Sequence, residues 1–324
     1  MRAFPRLTIA VLADLVADEF VYGEIARVSR EAPVLILKHR DRTVVPGGGA
    51  NAIYNLATMG VTVLPVGVVG DDEAGRLLLH AFREKHIALS GISTVRKFPT
   101  VTKTRILAGT THSARQQVVR IDREPAAELP RLYRNRLLEA CREFAHASDA
   151  LLVSDYGYGA ATPELVSRIR NTGAFDERPV TLDSRYRLLA YHNVTAATPN
   201  ESEVEEALGI RIGHDDECLD SAGREALSRM NLQSLVITRG RDGMVCFDGA
   251  RAPLRIPIHG GDQVADVTGA GDTVMAAFTA ALATGADACD AARLANLAGG
   301  VVVMKRGTAT VSSDELLAAI ASVQ

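Results

Sequence analysis

Several features that would assign a chain at a glance are missing from this one. Its 324 residues hold only four cysteines, Cys141, Cys218, Cys246 and Cys289, and no two share a C-x-x-C spacing. A disulfide framework or a thiolate metal site is therefore not expected, and each thiol reads as a reduced core or surface residue. There is no basic excess: 36 Lys and Arg stand against 39 Asp and Glu, a formal net charge of -3. That speaks against a nucleic-acid partner, which needs a cationic surface; it leaves room for small basic clusters that hold a phosphorylated metabolite. Long apolar runs are absent too. The N-terminal MRAFPRLTIAVLADLVADEF begins an apolar stretch but meets Asp14 and Asp18 at once. It is too short and too acidic for a signal peptide or a membrane span, so no membrane and a reducing cytoplasm are expected. The pattern G-x-x-x-x-G-K-[ST] occurs nowhere, which excludes a P-loop.

What is present is a core. Hydrophobic residues make up 47% of the chain, enough for one large α/β domain, and disorder is not expected. Residues 7–13 read as a buried first strand ending at an acid. Segments 34–38 and 42–45 read as short strand pieces around a polar turn, His39-Arg40-Asp41. PGGGANAIYNLATMG opens with glycines and continues with Ala52, Leu56 and Met59 at helical spacing. A strand over 63–69 and a helix over 72–86 follow, then strands over 101–107 and 116–121 joined by a polar loop, 109–115. From 131 onward helices (131–147, 163–171, 201–208, 215–230, 270–284, 288–304, and a last one from about 313) alternate with strands (150–154, 180–183, 195–197, 234–238, 244–247). Such alternation predicts a three-layer α/β/α sandwich around a parallel sheet. The expected organisation is one domain over 1–324, with a small β-sheet lid formed by about 18–45 and 101–121. Ligands of such sheets collect beyond the carboxyl ends of the strands, where Asp14, Asp155 and Asp183 stand.

One stretch joins a bare turn to an acid. In DVTGAGDTVMAAFTAAL, Gly269, Ala270 and Gly271 precede Asp272, and Val274, Ala277, Phe278 and Ala281 mark a helix face. The turn is therefore a helix N-terminus whose first N–H groups lack partners and favour an anion. Small side chains let that anion approach the backbone. The pairing suits phosphoryl transfer to an alcohol: the amides hold the developing charge, and Asp272 accepts the proton of the attacking hydroxyl. The helix terminus is expected to keep Asp272 ionised. The same residues also suit a plain tight turn followed by a helix-dipole acid.

Other pieces admit two readings each. Asn200 with Glu203 in ATPNESEVEEALG forms a capping-box pattern, or positions a nucleotide's Mg2+ and its waters. Thr238, Gly240 and Gly243 in LVITRGRDGMVCF lie around a hairpin signal, or line a nucleotide's phosphates. Gly47-x-Gly49-x-x-Ala52, with Asp71 about 20 residues on, fits the loose dinucleotide pattern and opens a nicotinamide dehydrogenase as a rival. The context is poor, because that fingerprint should follow the first buried strand; close approach to a sugar, with Asn51 bonding its hydroxyls, is the better use. Asp14 and Asp18 read as loop acids or as acceptors for sugar hydroxyls. Lys103 and Arg105 read as a charged lid edge or a phosphate clamp. Asn296 and Lys305, taken alone, read as solvated.

Together these segments resemble a family. GGGANAIYNLATMGVTVLPVGVVG resembles the N-terminal signature of the ribokinase-like (PfkB) sugar kinases, and DVTGAGDTVMAAF their C-terminal one. Asn200–Glu203 and Thr238-x-Gly240-x-x-Gly243 match further family motifs in the same order. Within the family, DEFVYGEIARVSREAPV, TKTRI, QQVVRID, VSDYGYG, ATPNESE and VVVMKRGTATVS resemble the heptose 7-phosphate kinase domain of ADP-heptose biosynthesis. The likeness implies a ribokinase-like fold, ATP with Mg2+, Asp272 as base, and Gly269, Ala270 and Gly271 as the anion hole. It implies Asn200 and Glu203 near the metal and phosphates, Thr238, Gly240, Gly243 and Asn296 around the nucleotide, and a K+-type cation near Asp266 and Thr268. Asp14, Asp18, Gly48, Gly49, Asn51, Lys103, Arg105 and Asp155 would face the sugar phosphate, with Arg185 able to bind phosphate in a different geometry. The lid implies a homodimer. The sequence departs from the subgroup in having Ala13-Asp14 for Gly-Asp, Asp183-Ser184-Arg185 for Asp-Pro-Lys, and Tyr158 where a lysine is usual. A catalytically silent sugar-phosphate sensor is a further rival, against which the intact GAGD argues.

Overall fold

Alternation with a period of two splits each buried strand between two cores. In the computed structural model, which describes residues 1–109, 116–249, 251–260, 265–305 and 307–323, β1 (Thr8–Ala13) is the central example. Its Ile9 and Val11 face one apolar cluster, and its Ala10 and Leu12 face the other. The chain continues through β2 (Leu15–Val28), β3 (Leu35–Gly48), α1 (Gly49–Thr58), β4 (Thr62–Gly70), α2 (Glu73–Glu84), β5 (Ile92–Val95), β6 (Val101–Gly109), β7 (Gln116–Arg123), α3 (Arg131–Ala145), β8 (Ala150–Asp155) and α4 (Pro163–Arg170). It ends with β9 (Val180–Ser184), β10 (Ala196–Ala197), α5 (Glu201–Leu208), α6 (Asp216–Met230), β11 (Ser234–Thr238), β12 (Met244–Asp248), β13 (Leu254–Ile256), α7 (Ala270–Ala283), α8 (Ala288–Val303) and α9 (Ser313–Val323).

The main sheet runs β13-β12-β11-β10-β9-β8-β1-β4-β5. It is parallel from β11 through β5, and β12 and β13 add antiparallel pairs at one edge. Residues of α1, α7, α8 and α9 fill the first cluster, and residues of α3, α4 and α6 the second. This is the three-layer α/β/α sandwich that the alternation predicts. Because the strands from β1 to β11 run the same way, Asp14, Asp155, Asp183, Asn200 and Thr238 share one edge of the sheet.

A second sheet, β3-β2-β6-β7, stands off that edge. Here the structure corrects the reading of 34–38 and 42–45 as separate pieces around a turn. β3 is one strand, paired with β2 from Leu35 to Gly48. Tyr22 pairs with Asp41 and Gly23 with His39, so Arg40 is the extra residue of a β-bulge, and it reaches Glu24 as an ion pair. A polar bulge in an exposed ribbon looks like a turn when only composition is read. β2, which leaves β1 directly through Asp14, was not expected, and neither were the short β5 and β13. The predicted loop 109–115 lies outside the described residues beyond Gly109. No helix among the described residues is long and apolar enough to cross a membrane.

Candidate active site

α7 starts where it does because of Gly269, whose φ of +78° is left-handed and strained for any side chain. A Cβ there would also lie 2.5 Å from the Asn51 side-chain nitrogen. No side chain among the described residues caps this helix; the Ala270 amide donates to the Val267 carbonyl at 3.2 Å, which leaves the amides of Gly271 and Asp272 for an outside anion. An added Cβ at Gly271 meets nothing within 4 Å; the turn opens onto free space. Asp272 follows immediately and is 3% exposed. Asn51 of α1 donates to its Oδ2 at 3.0 Å and to the Gly269 carbonyl at 3.2 Å. The Tyr156 hydroxyl donates to its Oδ1 at 2.8 Å. Burial pushes the carboxyl up to about 7, against the lowering effect of the Asn51 and Tyr156 hydrogen bonds. This corrects the expectation of a firmly ionised Asp272: desolvation outweighs the helix terminus. The result is a better base, because its affinity for a proton is matched to neutral pH.

The other acids of this edge act through partners. Asp14, 2% exposed, accepts from the amides of Tyr156, Tyr158 and Ala160 at 2.9, 2.9 and 2.8 Å. Both its oxygens are turned to that loop, and burial raises it to about 6. Asp155 is equally buried and accepts from Arg187, Ser184 and Tyr191. Asp18 pairs with Arg105 at 2.7 Å and accepts from the Thr308 hydroxyl at 2.9 Å. Lys103 has no carboxylate within ion-pair distance among the described residues. Its ammonium lies 5.1 Å from the Tyr156 ring centroid and 5.9 Å from that of Tyr158, and burial lowers its pKa. Tyr158, where a lysine is usual, thus sits beneath a lysine supplied by β6. Gly48 and Gly49 bring β3 hard against the core: a Cβ at Gly49 would lie 2.5 Å from that of Ala13. The dinucleotide-like spacing therefore follows a lid strand and serves close packing.

On the far side of Gly271 a cavity of about 370 Å3 is lined by Thr238, Gly243, Met244, Val274 and Asn296, among others. Asn296 donates to the Pro257 carbonyl at 2.7 Å. Gly243 holds φ +78° where a Cβ would lie 2.1 Å from the Ile256 carbonyl, and Gly240 turns the β11–β12 hairpin. Asn200 and Glu203 form the complete capping box of α5, at 2.9 Å in both directions. The second Glu203 oxygen meets Arg185 at 3.0 Å. Asp183 stands beside them; burial, then the charges of Glu203 and Asp272, push it well up. Asp266 accepts from the amides of Thr268 and Gly307 at 2.9 and 3.0 Å. Among the described residues no cluster of three or more His, Cys, Asp or Glu is arranged to hold a metal. Reading the sequence missed Tyr156, Arg187 and Thr308. The one available signal for Tyr156 was its place at the carboxyl end of β8, where ligands gather.

Known proteins resemble this chain over nearly all of its length. A bifunctional protein HldE from Geobacter sulfurreducens is 40% identical over 311 residues, 96% of this chain and 62% of that protein. Its namesake from Caulobacter sp. (strain K31) is 37% identical over 317 residues, 98% of this chain and 63% of that one. This chain therefore spans less than two thirds of the length of these relatives. Two solved structures share the fold. Escherichia coli phosphofructokinase-2 in complex with substrates and products has a TM-score of 0.76 at 19% identity, covering 98% of each chain. Arabidopsis thaliana ribokinase complexed with ribose and ATP has a TM-score of 0.73 at 19% identity, covering 97% and 98%. The pfkB family carbohydrate kinase profile matches residues 15–315, nearly the whole chain: the chain belongs to the pfkB family of carbohydrate kinases.

Proposed function

We propose that this protein transfers the terminal phosphoryl group of ATP to the anomeric hydroxyl of a heptose 7-phosphate. The observation that carries the transfer is Asp272, buried and raised to about 7, next to an uncapped helix turn that opens at Gly271. The choice of acceptor is supported by the resemblance of the lid segments to heptose 7-phosphate kinase domains and by the relatives named HldE.

The residues suit the groups such a reaction needs. The cavity beside Gly271 has an apolar floor from Met244 and Val274 and polar groups from Thr238 and Asn296, which suits a purine on one side and phosphates over the turn. Glu203 would hold Mg2+ through water, and the crowding of Asp183 and Glu203 favours a cation there. When bound, ATP supplies the phosphoryl group and the divalent ion neutralises its charge. The chain's own residues do the rest. The amides of Gly271 and Asp272 stabilise charge on the transferring group. Asp272 takes the acceptor's proton as the new bond forms. Lys103, which makes no ion pair of its own among the described residues, offers its ammonium to the sugar's own phosphate. The lid sheet closes over the sugar and excludes water. A monovalent cation near Asp266 and Thr268 belongs to the same reading.

The test is ADP release over a panel of sugars and sugar phosphates, for wild type and Asp272→Ala. Heptose 7-phosphate should be the preferred acceptor and the variant inactive. A simple hexose or nucleoside that reacts while heptose 7-phosphate is inert would overturn the acceptor assignment.

A further inference from the structure

Asp272 presents neither oxygen idle to the cleft. Asn51 covers Oδ2, and it is pinned in turn by Asn55 within α1, so that contact is a fixture. The Tyr156 contact on Oδ1 is held differently. Among the described residues its hydroxyl has Asp272 as its only hydrogen-bond partner, at 2.8 Å. Its ring has the Lys103 ammonium above it and Gly48 beside it. The backbone, by contrast, is anchored: Asp14 gathers the amides of Tyr156, Tyr158 and Ala160. Rotating the side chain gives up that hydrogen bond, the stacking on Lys103 and packing beside Gly48 while the loop stays in place, and Tyr156 borders a cavity that Glu124, Tyr158 and Arg187 also line.

An acceptor alcohol must bring its O–H within hydrogen-bonding reach of Asp272 to give up its proton. The phenol is already an O–H donor at that position. On the reading of Asp272 as the base, we infer that Tyr156 stands in for the acceptor: its phenol occupies Oδ1 and keeps water away until a sugar hydroxyl displaces it. The exchange moves no proton by itself. The phenol keeps its own and turns away, since burial and the charges of Asp272 and Asp183 push its pKa well up. The sugar O–H then donates in its stead. The competing nucleophile is water, which an open base would activate towards wasteful hydrolysis of bound ATP.

The charged and titratable neighbours of Asp272 are Asp18 of β2, Lys103 of β6, Tyr156 after β8 and Asp183 of β9, while α1 offers the neutral Asn51. Of these, Tyr156 and Lys103 hold the carboxyl down and Asp18 raises it. Removing the phenol hydroxyl should thus raise the base's pKa in the free enzyme and leave the complex with bound sugar unaffected.

Tyr156→Phe, Asp272→Asn and wild type are compared for ADP release with ATP alone and with heptose 7-phosphate, across pH. Tyr156→Phe should increase acceptor-independent release severalfold. It should also move the acid limb of kcat/KM up by about one pH unit, the size of one hydrogen bond to a charge, while the limb of kcat stays at the wild-type pH. Idle release no higher than wild type, an unmoved kcat/KM limb, or a kcat limb that moves with it overturns the exchange. Crystals of wild type with the sugar phosphate and a non-hydrolysable ATP analogue give a reading that needs no variant: a sugar hydroxyl on Oδ1 with the phenol turned away is expected, and a phenol still on Oδ1 overturns it. An active Asp272→Asn would instead sink the base assignment itself. An inactive one, beside a Tyr156→Phe enzyme that matches wild type, removes only the role of Tyr156.

Discussion

At Asp272 two opposing effects meet, and on the proposed role of this carboxyl as the base their balance sets the pH at which transfer can proceed. Burial favours the protonated form; Asn51 and Tyr156 favour the charged one. Since burial wins, the carboxyl lies near 7, and the proton must be off before Asp272 can act as a base. Activity should therefore fall as pH drops through about 7, approaching a tenfold loss in kcat/KM per unit on the acid side. A pH profile that stays flat down to about 5 would contradict this. Asp272 could be singled out in the sequence as an acid that follows a run of small residues and opens an apolar helix face. That pattern also suits a plain tight turn, and only its match to a longer family signature favoured the chemical reading. Tyr156 could not be singled out, because its partner lies 116 residues away and its place at a strand end does not say what its hydroxyl meets. Asp14 and Asp155 show the same limit: each carboxylate was recognisable at a strand end, but which groups it meets depends on the fold. Asp14 gathers loop amides and Asp155 holds Arg187.

Among the elements, those of the main sheet other than the short β5 and β13 were legible to within a residue or two. A strand covered on both faces reads as a continuous apolar run, and the helices between such runs carry a clear apolar stripe. The lid ribbon was not, since β2 and β3 are buried mainly at their base, and the rest mixes charged and apolar residues that are half-buried or exposed. Close helix–strand packing also left a mark that only the structure reveals. α6 lies so near β12 that a Cβ on Gly223 would come within 2.2 Å of the buried Phe247 ring. Ala is the better helix former by about 1 kcal/mol, but overpacking against a buried ring costs about 1–3 kcal/mol or more. Gly223→Ala should lower the unfolding free energy by about 1–2 kcal/mol in denaturant melts. A variant as stable as wild type would mean that α6 can shift away from the sheet.

For the whole molecule, the lid is the part whose surface is least accounted for by a single copy. β7 is exposed along its length, with Val119 at 48% and Ile121 at 54%, and Val28 and Leu35 are exposed at the ribbon tip. Such apolar side chains beside two sheet edges favour pairing with a second lid. Light scattering at micromolar protein should give a dimer, and Val119→Asp with Ile121→Asp should give a monomer; a monomeric wild type would remove the proposal. The account as a whole depends on a smaller region, the acid beside the open helix turn. Its most direct measurement is a single turnover of ATP and heptose 7-phosphate by wild type and Asp272→Ala, with nucleotide binding followed in parallel. The account predicts a rate about 10²–10⁴-fold lower in the variant with ATP still bound. A variant that turns over within about tenfold of wild type would contradict it.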